Sequence, residues 1–298
     1  MKMISFAEFG GPEVLRLIDA EEPHAGPGQV RVAVRAAGVN PVDWRLREGQ
    51  VLGAHPIRLP AGVGLDAAGV VDEVGAGVGD VEVGDFVFGE GSNTYAEFAV
   101  LSAWARMPAG LTFEEAAGYP SVVETAVRLL RETEVAAGQT LLVSGASGGV
   151  GSAVLQLARV RGIRVIGTAG PANQDYLRGL GAVATTYGEG WVERVRGQGP
   201  VDAAVDLAGS GVLGELVALT GDPAKVLSIA DLDAPKFGVR FSGVAGSVRD
   251  ALAEAVDLIS RGELRIPVER VYPLVDAAAA HVDSQAGHTR GRRVVVPG

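Results

Sequence analysis

The stretch Leu141–Arg159, LLVSGASGGVGSAVLQLAR, constrains the fold more than any other part of the chain. It opens on Leu141, Leu142 and Val143, an apolar run suited to a strand buried on both faces. Glycines follow at 145, 148 and 151, and Val150, Val154, Leu157 and Ala158 then recur at helical spacing. Strand, glycine turn and helix in this order predict a phosphate-binding loop. Gly145 permits the tight turn, Gly148 lets the main chain approach an anion, and Gly151 lets the helix pack on the sheet. The amides of Gly148, Gly149 and Val150 then face the phosphates at the positive end of the helix, with Ser147 in the same turn. A glycine triplet alone is a common turn; the flanking strand and helix make this one a dinucleotide signal.

The second strand bears on which dinucleotide. A site for NAD carries an acid about 20 residues on, at the end of that strand, to hold the ribose hydroxyls. Here the strand ends Gly167-Thr168-Ala169-Gly170, without an acid. Nothing at that point repels a 2′-phosphate, so NADPH is favoured over NADH and a methyltransferase is disfavoured. The alternative is a ribose contacted only by Thr168 and backbone.

Around this loop the pattern falls into three pieces. Residues 1 to about 120 read as short strands: QVRVAVRAAGV from Gln29, GVVDEVGAGVGDVEVGDFVFG from Gly69 with Gly-Asp turns, and NTYAEFAVL from Asn93. Thr112 with Glu115 has the spacing of a capping box, and SVVETAVRLLRETEV from Ser121 reads as a helix. Strands and helices then alternate, with strands from Thr140, Arg164, Val201 and Lys225. Residues 264–298 return to the alternating strand type and end in RRVVVPG.

Composition removes whole classes of function. The chain has 298 residues, net charge -10 and pI near 5.0, so nucleic acid and anionic membranes are not expected partners. It has no cysteine, which rules out disulfides, thiolate zinc sites, iron–sulfur clusters and cysteine nucleophiles. The start, MKMISFAEFG, lacks a signal-peptide core, and no apolar run of about 18 residues occurs, so a soluble cytoplasmic protein is expected. Only Lys2, Lys225 and Lys236 accompany the arginines, a bias suggesting a GC-rich bacterial genome.

In order along nearly the full length, GVNPVDWRLREG, GLDAAGVVDEVGAGV, VGDFVFG, NTYAEFAV, LTFEEAAGYPSVVETA, the glycine loop and GHTRGRRVVV resemble the medium-chain dehydrogenase/reductase superfamily, in its zinc-free quinone oxidoreductase branch. The resemblance implies an α/β chain: a Rossmann-type doubly wound parallel sheet at 122–265, inserted in a GroES-like, mostly-β catalytic domain at 1–121 with 266–298. It also implies a coenzyme in the cleft, hydride transfer from NADPH to quinones or activated C=C bonds, and a homodimer joined at the Rossmann-domain sheet edge. Zinc-dependent members place a Cys where this chain has Asn40 and a His where it has Leu65; with four scattered histidines, no metal is expected.

Carried over position by position, the resemblance places Asn40 and Asp43 near the nicotinamide, with Asp43 equally readable as a structural turn acid. Thr125 falls near the nicotinamide end and Tyr187 beside the adenosine 2′-phosphate. Ala208, Ser228, Arg292 and Arg293 join the coenzyme contacts. Gly170-Pro171-Ala172 stands where many NADPH-specific members carry Ser-x-Lys, and Arg178 is a candidate substitute. Gln50-Val51-Leu52 lacks the tyrosine of some bacterial members, so no proton donor is assigned. Two other classes remain: a biosynthetic enoyl-thioester or tailoring reductase, and a non-catalytic NADPH-binding sensor or structural protein. A short-chain dehydrogenase is excluded because no tyrosine has a lysine four positions on.

Overall fold

A computed structural model describes residues 1–50, 57–243 and 246–298. The chain forms two compact units: Met1–Glu124 with Ser247–Gly262 and Ile266–Gly298, and Thr125–Gly246 with Glu263–Arg265.

The second unit is built on the buried strands that the apolar runs predict. Val183–Thr185, Arg164–Thr168, Thr140–Ser144, Ala203–Asp206, Val226–Ser228 and Arg240–Phe241 lie side by side in that order, and every neighbouring pair is parallel. In chain order this is 3-2-1-4-5-6, the doubly wound arrangement of dinucleotide-binding folds. Its order reverses between Thr140–Ser144 and Ala203–Asp206, and ligands of such sheets bind beyond the strand ends at that reversal. One core layer packs Leu142, Ile166 and Ala204 of the sheet against Trp191, Val195, Leu213 and Leu216 of the helices.

The first unit is a mostly antiparallel sheet in the order Val268–Pro273, Arg292–Val296, Val30–Gly38, Asp66–Val74, Phe86–Ser92, Phe98–Arg106. Val30–Gly38 also pairs with Phe98–Arg106, which closes four of these strands into a ring. Val30, Val32 and Val34 point into its core, as their period of two predicts. Thr112 and Glu115 form both bonds of the capping box at the helix Phe113–Ala116.

Several elements differ from the sequence reading. The strand expected from Asn93 starts at Phe98 and runs to Arg106, because Asn93 is left-handed (φ 56°) and Tyr95 turns into the core. The tail expected to be all strand contains the helix Ala277–Ala286, where an alanine run overrides the flanking alternation. A short helix, Pro41–Arg47, interrupts the strand-rich part. The helix Val248–Ser260 packs in the first unit, with Arg249 over the Trp104 ring at 4.5 Å; the limits read from the sequence assign it to the nucleotide piece, since an amphipathic stripe does not name the sheet it covers. Among the described residues no helix is long and apolar enough to cross a membrane.

Candidate functional site

In the second unit the glycine loop lies at the sheet's reversal. Gly145 has φ +79°, a conformation that favours glycine, and a Cβ there would come within 3.2 Å of the Ala208 Cβ on the loop across the reversal. Gly151 answers a different need: a Cβ would lie 2.5 Å from the Ala146 carbonyl oxygen, so the helix Gly149–Val160 approaches the turn only because no side chain intervenes. Gly148 has room, since its Cβ would meet only the Gly145 oxygen at 3.7 Å. Protein packing therefore does not explain Gly148. The first helical bond runs from the Ser152 amide to the Gly148 carbonyl at 2.8 Å, which leaves the amides of Gly149, Val150 and Gly151 without acceptors among the described residues. Open space at Gly148 beside three unspent amides, at the positive end of a helix, fits a diphosphate.

The walls of this loop are fixed by polar contacts. Ser147 is buried and its hydroxyl accepts from the Asn173 carboxamide at 3.2 Å. Ser152 Oγ donates to the Gly148 carbonyl at 2.8 Å. Across the reversal, Asp206 is buried; its carboxylate accepts from Ser228 Oγ at 2.9 Å and from the Ala208 and Gly209 amides at 3.1 Å each. Ser228 thus acts on this loop through Asp206. Thr168 is buried at the end of the second strand, and the Tyr187 hydroxyl lies against Gly170, where a Cβ would come within 3.3 Å. Arg178 is tied to Asp175 at 2.6 Å and is exposed. Arg194, passed over in the sequence, donates to the Thr186 and Glu189 carbonyls that flank Tyr187, at 3.0 and 2.8 Å. It has no carboxylate partner among the described residues. Thr125 is half-buried on the helix Pro120–Glu132.

In the first unit Asn40 and Asp43 begin the helix Pro41–Arg47 and are buried. Asp43 Oδ2 accepts from the Asn40 amide at 2.8 Å and from the Tyr95 hydroxyl at 3.0 Å, whereas Oδ1 has no partner among the described residues. Burial, reinforced by the Asp66 charge, pushes the Asp43 carboxyl up to about 7, against the opposing hydrogen bonds from Asn40 and Tyr95. The Asn40 carboxamide donates to Asp66 at 3.0 Å. Arg292 is turned into this interior and pairs with Asp66 at 3.3 Å. Arg293 faces Glu269 instead, at 3.4 Å, and donates to Thr289. Burial raises the Asp66 carboxyl, opposed chiefly by Arg292 and by Ser121. Glu90, opposite Asp66 in the sheet register, is half-buried and pushed up to about 7 by burial and by the charges of Asp66 and Glu124.

The structure thus joins Asn40, Asp43 and Arg292 in one network and Gly145, Ala208 and Ser228 in another. Sequence reading missed Asp66, Tyr95 and Arg194. Asp66 follows directly on Leu65, the position weighed for zinc, and its acid between apolar neighbours was the available signal. Val51, Leu52 and His55 lie outside the described residues. Among the described residues no group of three or more His, Cys, Asp or Glu is placed to hold a metal ion.

Family descriptions match both parts: "Alcohol dehydrogenase GroES-like domain" over residues 26–120 and "Zinc-binding dehydrogenase" over residues 179–295. A quinone oxidoreductase of Pseudomonas aeruginosa is 32% identical, covering 99% of each chain. The NADPH-dependent alkenal/one oxidoreductase of Arabidopsis thaliana is 32% identical over 100% of this chain and 80% of its own. A segment of the pikromycin polyketide synthase component PikAII of Streptomyces venezuelae, 8% of that protein, is 38% identical over 91% of this chain. The solved structure of Escherichia coli quinone oxidoreductase complexed with NADPH superposes with a TM-score of 0.84 at 27% identity, covering 100% of both chains.

Proposed function

Because this chain belongs to the medium-chain dehydrogenase/reductase superfamily, we propose that it is a zinc-independent reductase that transfers a hydride from NADPH to a quinone or to the activated C=C bond of an enone. The observation that carries this reading is the 3-2-1-4-5-6 sheet with its glycine turn at the reversal and open space at Gly148.

When bound, the coenzyme supplies the hydride at its nicotinamide ring. The amides of Gly149, Val150 and Gly151 hold its diphosphate, and Gly145 and Ala208 shape the approach. Thr168 and Tyr187 take the adenosine end, where the second strand closes on Gly167-Thr168-Ala169-Gly170 without an acid to repel a 2′-phosphate. Arg194 braces the Tyr187 loop and adds a cation whose remaining N–H donors are unspent among the described residues. Asn40 orients the reacting end, while Asp43, holding its proton near neutrality, fixes the start of the Asn40 helix. Quinones and enones are electron-poor acceptors, so hydride transfer to them needs less Lewis-acid assistance than a simple carbonyl, in keeping with Asn40 and Leu65 at the family's zinc positions. The edge strand Arg240–Phe241 is the surface through which a homodimer would form in the cytoplasm; sedimentation at equilibrium tests it, and a monomer at all concentrations refutes it.

A second reading, a biosynthetic enoyl-thioester reductase, is favoured by the 38% identity to the polyketide synthase segment, above the identity to the full-length quinone oxidoreductase. One assay separates the two. The protein is mixed with NADPH or NADH and a panel of quinones, enones and short enoyl thioesters, and loss of reduced-coenzyme absorbance is followed. Turnover of quinones or enones with NADPH is expected. Turnover restricted to thioesters selects the second reading, and binding without turnover of any acceptor refutes both.

A further inference from the structure

We infer that Asp66 is the positioning residue that orients the Asn40 carboxamide; the inference rests on the proposed role of Asn40 at the reacting end. Asp66 is fully buried at the start of the strand Asp66–Val74, 26 residues from Asn40 in the chain. Its Oδ2 accepts from Asn40 Nδ2 at 3.0 Å and from Arg292 Nη2 at 3.3 Å. Its Oδ1 accepts from the Ser121 amide at 3.0 Å and from the Ser121 hydroxyl. An ionised carboxylate offers about four acceptor sites, so these four donors satisfy both oxygens.

The chemistry of that carboxylate decides which way the Asn40 amide points. A carboxylate surrounded by donors only accepts, so it selects the amide nitrogen, and Asn40 Oδ1 is held at the far end of the carboxamide. Turning the amide over would bring two oxygens together and forfeit a charge-assisted bond in a buried setting. The Asp43 carboxylate acts on a different atom: it accepts from the Asn40 main-chain N–H and so fixes the helix start, whereas the Asn40 carboxamide nitrogen donates to Asp66. Arg292 compensates the buried charge, and Gly38 makes room for the pair. A Cβ at Gly38 would lie 2.8 Å from Arg292 Nη2 and 3.1 Å from the Asp66 Cβ. Asn40, Asp66, Ser121 and Arg292 come from four separate segments, so no local sequence pattern joins them.

The test uses the full chain and five variants: Asp66→Asn, Asn40→Ala, their combination, Ser121→Ala, and Ser121→Ala combined with Asn40→Ala. Asp66→Asn presents an amide that can donate as well as accept, so the orientation of Asn40 is no longer set. The expected result is a fall in kcat for a quinone of about tenfold or more, as misplacement of a reacting group produces. The NADPH Kd, read by fluorescence, stays within about twofold, because the glycine loop is untouched. In the Asn40→Ala background the Asp66→Asn loss disappears, since there is no carboxamide left to orient. A residue with only a structural role would lower thermal stability in both backgrounds without this coupling. Should Asp66→Asn strand Arg292 and fail to fold, Ser121→Ala keeps the charge pair; it is expected to lower kcat about threefold, and only when Asn40 is present. An unchanged kcat in these variants, or losses that multiply in a combined variant, overturns the inference. A wild-type chain without turnover instead overturns the proposed function, so the two failures are told apart.

Discussion

Replacing Asp43 with asparagine should change how the stability of the first unit responds to pH, by an amount that the buried carboxyl fixes. An unfolded aspartate ionises near 3.8, whereas burial holds Asp43 up to about 7. Between those values the folded chain keeps a proton that the unfolded chain has released. Stability from this group is therefore largest at acid pH, falls as pH rises from about 4 to about 7, and is level beyond. Moving the carboxyl that far is worth about 4 kcal/mol, from 1.36 kcal/mol per tenfold change in proton affinity. The geometry agrees, because no donor among the described residues reaches Oδ1, which so has room for the proton. His281 works the other way. Burial, with Arg47 beside it, pushes its imidazole down to about 3, so its contribution is lost as pH falls from about 6.5 toward 3. The two slopes oppose one another over most of this range, so the wild-type curve alone does not separate them and only comparison exposes them. Asp43→Asn should gain about 4 kcal/mol relative to wild type between pH 4 and pH 8, and His281→Asn should show the reverse trend. The assay is guanidinium unfolding at each pH in a Trp191→Phe background, where Trp44 and Trp104 report on the first unit alone. Glu90→Gln serves as a control, since Glu90 titrates in the same window but is partly solvated. A difference between Asp43→Asn and wild type that stays constant within about 1 kcal/mol over this range would mean that Asp43 is ionised in the fold, and the reasoning fails.

Two further outcomes bear on the glycine loop and its far wall. Gly148→Ala should fold with near wild-type stability, because its backbone angles suit alanine and its Cβ has space, yet weaken NADPH binding about tenfold or more by filling the diphosphate's place; unchanged affinity in calorimetry refutes the cradle. Gly151→Ala should instead lose about 1–3 kcal/mol of stability through the clash with Ala146, and a variant as stable as wild type would show that the helix can back away. Arg194→Gln should weaken NADPH severalfold while leaving NADH affinity unchanged, since only the former carries the 2′-phosphate; equal effects on both coenzymes would reduce Arg194 to a brace for the Tyr187 loop.

What the sequence made legible follows from the range of each interaction. The buried strands Thr140–Ser144, Arg164–Thr168 and Ala203–Asp206 are continuous apolar runs whose burial on both faces leaves no other reading, and they appear where the runs lie. The capping box at Thr112 is a bond across three residues, equally local. The barrel strand near Asn93 was misplaced because its start is set by Tyr95 reaching Asp43, 52 residues away in the chain. The same limit explains the site. The glycine spacing tells Gly145, Gly148 and Gly151 apart, and the structure gives them a left-handed turn, an open space and a close helix approach in that order, whereas the buried acids around Asn40 follow no such spacing. Asp66 stands out only as an acid between apolar neighbours, and what it does was not legible because each of its partners lies at least 26 residues distant and no periodicity links them. A phosphate loop is a contiguous device, since its donors are consecutive amides, so a short quotation carries it. A buried charge network is assembled by the closing of the sheet, and the chain order retains no trace of which acid a given amide will face.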